Sequence, residues 1–99
     1  MANQVSSIQD MVRYHLKVEP IVYKYISKHE ESGIITEIYM VRSIKRDNQS
    51  YNVVNELHQW ICDCPSFKYR SGIDSQGHCK HIRFVKFLLD EGVEIQVIQ

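Results

Sequence analysis

The sequence predicts an α+β fold, in which a small antiparallel β-meander lies between two helices. Apolar residues recur at helical spacing near both ends of the chain, which predicts the helices. Between them, runs rich in β-branched and aromatic residues are separated by short polar segments, as in strands joined by turns. The chain has 99 residues, the length of a single domain with a modest core.

The first helix is predicted over residues 6–17. Its apolar positions are Ile8, Met11, Val12 and Leu16. Ser6 or Ser7 is the expected N-cap, because a serine hydroxyl accepts a hydrogen bond from a free backbone N–H at a helix start. Pro20 ends any element that begins before it. Residues 1–33 therefore form an N-terminal helix and an extension to which the sequence gives no role.

Four strands are predicted for the meander. Residues 21–27 are β-branched or aromatic at five of seven positions, which favours a strand over the helix that their spacing also allows. The other three strands are predicted over residues 34–45, 51–54 and 57–64. The expected connections are a turn at 30–33, a polar hairpin loop at 46–50 and a tight turn at 55–56. Apolar residues on both parities of the second strand indicate that both of its faces are partly buried.

The C-terminal part is predicted to contain a loop, a helix and a short strand. Pro65 lacks a backbone N–H and ends the fourth strand, so residues 65–78 are expected to form a loop. The helix is predicted over residues 80–91 and is closed by Gly92 at the C′ position. The alternating residues 93–97 predict a short edge strand.

Four residues near this loop form the pattern Cys-x-Cys-x14-Cys-x-His and include every cysteine of the chain. They are Cys62, Cys64, Cys79 and His81. Three thiolates and one imidazole are the ligands of a closed, tetrahedral structural zinc site. Residues two apart on a strand share a face, so Cys62 and Cys64 are expected to reach one ion from a single strand. Cys79 is expected in the loop or at the helix cap, and His81 in the first helical turn.

The metal interpretation is favoured over its alternatives by residue count and by charge. An odd number of cysteines leaves one thiol outside any disulfide scheme, and Cys-x-Cys is not the Cys-x-x-Cys of redox helices. Inert buried thiols and a nucleophilic cysteine remain open. Zn²⁺ with these ligands has a formal charge of −1, which a helix N-terminus favours by about 0.3–1 kcal/mol. His78 is an alternative fourth ligand, whereas His15, His29 and His58 are predicted to lie on the surface.

A catalytic role is not expected. Four protein ligands leave no open position for the water that a catalytic zinc ion activates. No glutamate lies one or two residues from a proposed ligand, as it does in the His-x-Glu arrangement of zinc deaminases. The pattern thus predicts a structural ion in a protein that is not an enzyme.

The region from Tyr51 to Val85 resembles a SWIM-type zinc finger, a ββα module with Cys-x-Cys on a hairpin and Cys-x-His at a helix start. The matching residues are Tyr51, Val53, Trp60, Ile61, Cys62, Cys64, Pro65, Phe67, Arg70, Cys79, Lys80, His81 and Ile82. The resemblance implies a zinc-finger unit over residues 51–91 that holds one structural Zn²⁺. Two features depart from common members of the family. The loop between the two ligand pairs is long, and the helix carries Arg83 near the site. The surface beside the zinc is therefore expected to be particular to this chain.

The resemblance also implies a binding function, because SWIM modules are regarded as DNA-binding or protein-interaction modules. Basic residues of the loop and the helix are the candidate phosphate contacts: Lys68, Arg70, Lys80, Arg83 and Lys86. The three helical cations are three positions apart and form a stripe opposite the apolar face. A solvent-exposed helix face without a ligand has the same pattern, so this alternative remains. The expected partner is therefore DNA or, alternatively, a protein, and a homodimer is possible.

The overall charge and the ends of the chain limit the function further. Twelve basic and twelve acidic residues give a net charge of zero, so no whole-protein field attracts nucleic acid. The sequence has neither a signal-peptide pattern nor a membrane-spanning stretch. Cysteines used as metal ligands fit a reducing compartment, so we expect a soluble, cytoplasmic protein.

Overall fold

A computed structural model describes residues 7–44, 49–71 and 73–98. Its elements in chain order are α1 (Ile8–Lys17), β1 (Val22–Lys28), β2 (Ile35–Arg42), β3 (Ser50–Glu56), β4 (Gln59–Cys62), α2 (Pro65–Lys68), α3 (Lys80–Asp90) and β5 (Gln96–Val97). The α+β class with an N-terminal and a C-terminal helix is confirmed. Within the described residues, no helix is long and apolar enough to cross a membrane.

The strands form one five-stranded sheet in the order β4-β3-β2-β1-β5. Strands β1 to β4 are an antiparallel meander, and β5 pairs with β1 in parallel at the sheet edge. The strand interpretation of residues 21–27 is confirmed, because all seven residues of β1 are paired with β2. The predicted edge strand in the tail is also confirmed, although it is only two residues long.

Helix α1 begins one residue after Ser7, which forms a capping box with Asp10. The Asp10 N–H donates to the Ser7 hydroxyl at 3.1 Å, and the Ser7 N–H donates to the Asp10 carboxylate at 3.4 Å. This reciprocal pair satisfies two N–H groups that the helix cannot bond internally. The helix ends at Lys17, shortly before Pro20.

Two connections differ from the prediction. The β3–β4 turn lies at Leu57 and His58, not at 55–56, and both residues have positive φ, 52° and 65°. Two successive positive φ angles match a type I′ hairpin, a turn usually marked by Asn or Gly, so this sequence carries no signal for it. In the predicted 46–50 loop, residues 45–48 lie outside the described part of the chain, and β3 already begins at Ser50.

The segment 65–78 is not wholly a loop, because α2 occupies its first four residues. Pro65 stands in the first turn of that helix, where a missing N–H costs nothing and a fixed φ is favourable. At the other end of the molecule, α3 ends at Asp90 and Gly92 has a φ of 72°. Gly92 thus closes the helix in the left-handed conformation, as predicted.

The hydrophobic core lies between the helices and one face of the sheet. Helix α3 buries four side chains, and the facing side chains of β1, β2 and β3 are equally enclosed. The main members are Met11, Val22, Tyr39, Val41, Val53, Ile82, Phe84, Val85 and Leu88. Complete burial of one such aliphatic or aromatic side chain contributes about 1.5–3 kcal/mol. The core therefore holds α3 against the end of the sheet where β4 lies.

His15 belongs to this interior, so its predicted surface location is wrong. Its exposed fraction is 8%, and its Nδ1 accepts a hydrogen bond of 3.0 Å from the backbone N–H of Ile21. Its ring also meets Phe84 edge-on, with centroids 6.1 Å apart. The turn through Pro20 brings the start of β1 back onto α1, an arrangement that helical periodicity does not reveal.

Candidate metal centre

The four proposed ligands converge on one point between β4, α2 and α3. The Sγ atoms of Cys62, Cys64 and Cys79 and a ring nitrogen of His81 all lie within 4.8 Å of one another. The three cysteines are buried, His81 is partly buried, and no cysteine forms a disulfide. The structure thus brings together two pairs of residues that are far apart in the sequence.

The first pair is held differently from the prediction. Cys62 is the last residue of β4, but Cys64 lies beyond the strand and is the N-cap of α2. The two cysteines therefore do not project from one strand. The chain turns from strand to helix between them, because Pro65 favours a first helical turn over further extension. The spacing correctly predicts convergence, although the mechanism is a turn.

The second pair lies at the start of α3, as predicted. Cys79 is the N-cap in an extended conformation, and His81 is the second helical residue. The first turn of this helix contains no acidic side chain. No acidic side chain of α3 therefore compensates the free N–H groups at its start. Because these groups carry partial positive charge, a negatively charged cluster at this position is favoured.

A backbone amide near each sulfur atom acts to lower the pKa of that thiol. The amide of Cys64 acts to lower the pKa of Cys62, that of Phe67 acts to lower the pKa of Cys64, and that of Ile82 acts to lower the pKa of Cys79. Interactions of this kind stabilise a thiolate, the form of cysteine that binds metal. The backbone around the site thus favours the thiolate form at each cysteine.

The thiols are also strongly coupled to each other. The pKa of Cys79 is lowered, first because the Cys62 thiol donates a hydrogen bond to it and further by His81 and the Ile82 amide. The pKa of Cys62 is raised by the same hydrogen bond to Cys79 and by burial, and burial also raises the pKa of Cys64. Three thiols crowded together cannot all ionise unless a cation neutralises them.

The donor set and its spacing fit Zn²⁺. In a tetrahedral site, Zn–S bonds of about 2.3 Å place sulfur atoms about 3.8 Å apart. For one sulfur and one nitrogen ligand, with Zn–N bonds of about 2.0–2.1 Å, the expected separation is about 3.6 Å. The distance from Cys62 Sγ to His81 Nδ1 is 4.0 Å, a few tenths of an ångström longer than this. Thiolate and imidazole ligands favour zinc over the hard cations, which prefer oxygen. The cluster can hold one metal ion with four protein ligands.

Aromatic rings surround the site on the sheet side. The Tyr51 ring lies 5.0 Å from the His81 ring and limits the orientations of that imidazole. Trp60 stacks on Tyr39 at 6.1 Å, and Phe67 packs against the core. The cysteines themselves are buried, so water has little access to them.

The loop before α3 is organised by Asp74. One carboxylate oxygen accepts hydrogen bonds of 2.9 Å from the backbone N–H groups of both Gln76 and His78. These bonds, that from His78 first, lower the pKa of the Asp74 carboxyl. His78 is thereby fixed beside Cys79 by its backbone, and it is not a member of the four-residue cluster. Sequence reasoning did not single out Asp74, although an aspartate before Gly77 is a common turn signal.

The five candidate phosphate contacts occupy different environments. Lys68 and Arg70 are exposed, whereas Lys80, Arg83 and Lys86 are each partly buried. Arg70 reaches toward the start of α3, since a Cβ added at Gly77 would lie 3.6 Å from its Nη2 atom. The Lys86 ammonium lies 5.9 Å from the centre of the Trp60 ring. The stripe predicted on α3 therefore lies partly against the protein.

Comparison of the chain with protein-family models, with curated proteins and with solved structures finds no match.

Proposed function

We propose that this protein is a binding module stabilised by one structural Zn²⁺ ion, with Cys62, Cys64, Cys79 and His81 as the ligands. The observation that carries the proposal is the convergence of four ligand atoms within 4.8 Å. The backbone amides near all three sulfur atoms support it, because they act to lower the pKa of each thiol. The resemblance of residues 51–85 to SWIM-type fingers implies the same four ligands.

Metal content tests this proposal directly. Native mass spectrometry of protein purified without added metal should show one zinc ion per chain. The ion should be lost when the solution is acidified. Substitution of any one ligand should lower the zinc content. Full native stability in a metal-free chain would contradict the proposal.

The ion is proposed to hold the fold and not to perform a reaction. Four protein ligands complete a tetrahedral shell and leave no position for an activated water. We therefore place the function on the surfaces that the ion orders. The use of thiolates as ligands fits a reducing, intracellular compartment.

For those surfaces we propose nucleic-acid binding, with DNA as the first candidate, through the loop and helix beside the zinc. Lys68 and Arg70 support this, because both are exposed and neither forms an ion pair within the described residues. Contacts to phosphate would compensate these charges without reading sequence.

The test is the salt dependence of binding. Five phosphate contacts predict a slope of log K against log salt of about −4.5 for duplex DNA. Fluorescence anisotropy of a labelled duplex and a labelled single strand, from 25 to 200 mM salt, measures this slope. The double variant Lys68→Gln/Arg70→Gln should reduce the magnitude of this slope by about 1.8, the share of two phosphate contacts. Arg13→Gln on helix α1, which is not one of the five candidate contacts, should not change it.

The alternative is a protein-interaction adaptor with a purely structural zinc. One observation favours it: the chain has a net charge of zero, so no overall field attracts nucleic acid. If neither nucleic acid binds at 25 mM salt, this alternative replaces the nucleic-acid proposal and leaves the zinc assignment intact.

A further inference from the structure

The face of the sheet opposite the helices carries an apolar row. The strand register places Tyr25 of β1 beside Ile38 of β2, Ile38 beside Val54 of β3, and Val54 beside Ile61 of β4. Neighbouring residues on a strand point to opposite faces, and Cys62, next to Ile61, faces the core. The row therefore points away from the helices.

The residues of this row are not part of the core. None of the four is a member of the core cluster or packs against it within the described chain, and neither are Tyr23 and Met40, which pair directly above the row. Ile61 is 45% exposed. Antiparallel sheets with one solvated face normally carry polar residues on that face, so this composition needs a covering surface.

Polar residues border the apolar row on both sides. Below it, Thr36 donates a hydrogen bond of 2.6 Å to Glu56 of the neighbouring strand. Above it, Asn52 continues the row of Tyr23 and Met40. An apolar centre that is free of charge and has a polar rim is the arrangement of a protein–protein interface. It is poorly suited to nucleic acid, which requires cations.

We propose that this face binds a second copy of the chain, so that two sheets pack face to face in a symmetric dimer. A twofold axis at the centre of the row would bring the same patch of each copy together, as in most homodimers. Two sheets packed in this way lie about 10 Å apart and cross at about 30°. The chain has a net charge of zero, so two copies do not repel each other.

The size of the face is sufficient for such a dimer. With about 3.4 Å per residue and about 4.8 Å between strands, β1 to β4 span about 400 Å² of sheet plane. Side chains that stand off this plane add to the area, and two copies bring the buried total past the roughly 1,000 Å² of a specific interface. The two tyrosines add amphipathic rings of the type enriched at such interfaces.

Sedimentation equilibrium of the zinc-loaded protein tests the proposal. The wild type should sediment at twice 11.7 kDa and dissociate on dilution. Ile61→Glu should raise the dissociation constant of the dimer at least tenfold, because it places a charge in the apolar interface. Ile38→Glu, at the centre of the row, should abolish the dimer.

Ile35→Glu is the matched control. Ile35 is an isoleucine of β2 that is 54% exposed, but it stands on the opposite face of the sheet from Ile38 because three positions separate them. This variant should dimerise like the wild type. Zinc content and circular dichroism of each variant show that it is folded, and they report on the metal site independently of the dimer.

Three results would overturn the dimer. The first is a wild type that remains monomeric at 500 µM, which would leave this face to a different protein. The second is equal weakening by Ile35→Glu and Ile61→Glu, which would indicate non-specific association. The third is an oligomer that Ile61→Glu leaves unchanged.

Discussion

Cys62 Sγ and His81 Nδ1 lie 4.0 Å apart although the two residues are nineteen positions apart in the chain. One atom belongs to the end of β4 and the other to the first turn of α3. Without a metal this contact is a weak sulfur–nitrogen hydrogen bond. A zinc ion bound by both residues would join the sheet to the helix, and it would supplement the modest apolar core of so short a chain.

Removal of zinc should therefore unfold at least the C-terminal half. Structural zinc contributes about 10–16 kcal/mol of apparent binding free energy in zinc-finger peptides, which is comparable to the whole stability of a small domain. Circular dichroism melts with and without a chelator should show a large fall in melting temperature or the loss of the transition. Recovery on addition of Zn²⁺, but not of Mg²⁺, is the control, and a melt that the chelator does not change would contradict the structural role.

The two histidines near the site provide a matched pair of substitutions. His81→Ala should lose zinc because it removes a ligand, whereas His78→Ala should retain it, since His78 contributes its backbone N–H to Asp74. Zinc release measured with a colorimetric chelator compares the two. Equal loss of zinc from both variants would show that the imidazole of His78 also contributes to the site.

Some features of this fold and site can be predicted from the sequence, and others cannot. The residue types and spacing of the Cys-x-Cys and Cys-x-His pairs identify the cluster, and helical periodicity after Cys79 identifies the helix start. It does not predict the turn at Leu57 and His58, where non-glycine residues adopt positive φ, nor the burial of His15. These features arise from tertiary contacts, which override the local preferences of the residues.

Asp74 should control how fast the site releases zinc, because its carboxylate orders the loop that leads into Cys79. Asp74→Ala removes the acceptor of two backbone N–H groups, and each lost hydrogen bond costs about 0.5–1.5 kcal/mol. The expected result is faster release of zinc to a competing chelator, with unchanged stoichiometry. Asp74→Asn keeps an oxygen acceptor and should lie between the wild type and Asp74→Ala. An unchanged release rate in Asp74→Ala would mean that the loop does not control the exchange of the metal.

His15 should make the fold sensitive to mild acid. Burial lowers the pKa of His15 below its ordinary value of 6.5, so the unfolded chain takes up a proton at a higher pH than the folded chain. Stability is then fully present above about pH 6.5, and it is lost as the pH falls below that value toward the lower folded pKa. Urea unfolding at constant excess zinc between pH 5 and 7.5 measures this loss.

Two substitutions separate the charge of His15 from its hydrogen bond. His15→Asn can still accept the Ile21 N–H through its side-chain oxygen but does not titrate, so its stability should fall less than that of the wild type between pH 7 and 5. His15→Leu leaves the Ile21 N–H buried without its acceptor and should cost about 1–3 kcal/mol at every pH. Protonation of the zinc ligands contributes equally to all three proteins, because His15 lies outside the cluster. Parallel pH profiles for the wild type and His15→Asn would show that the acid sensitivity comes from the metal site alone.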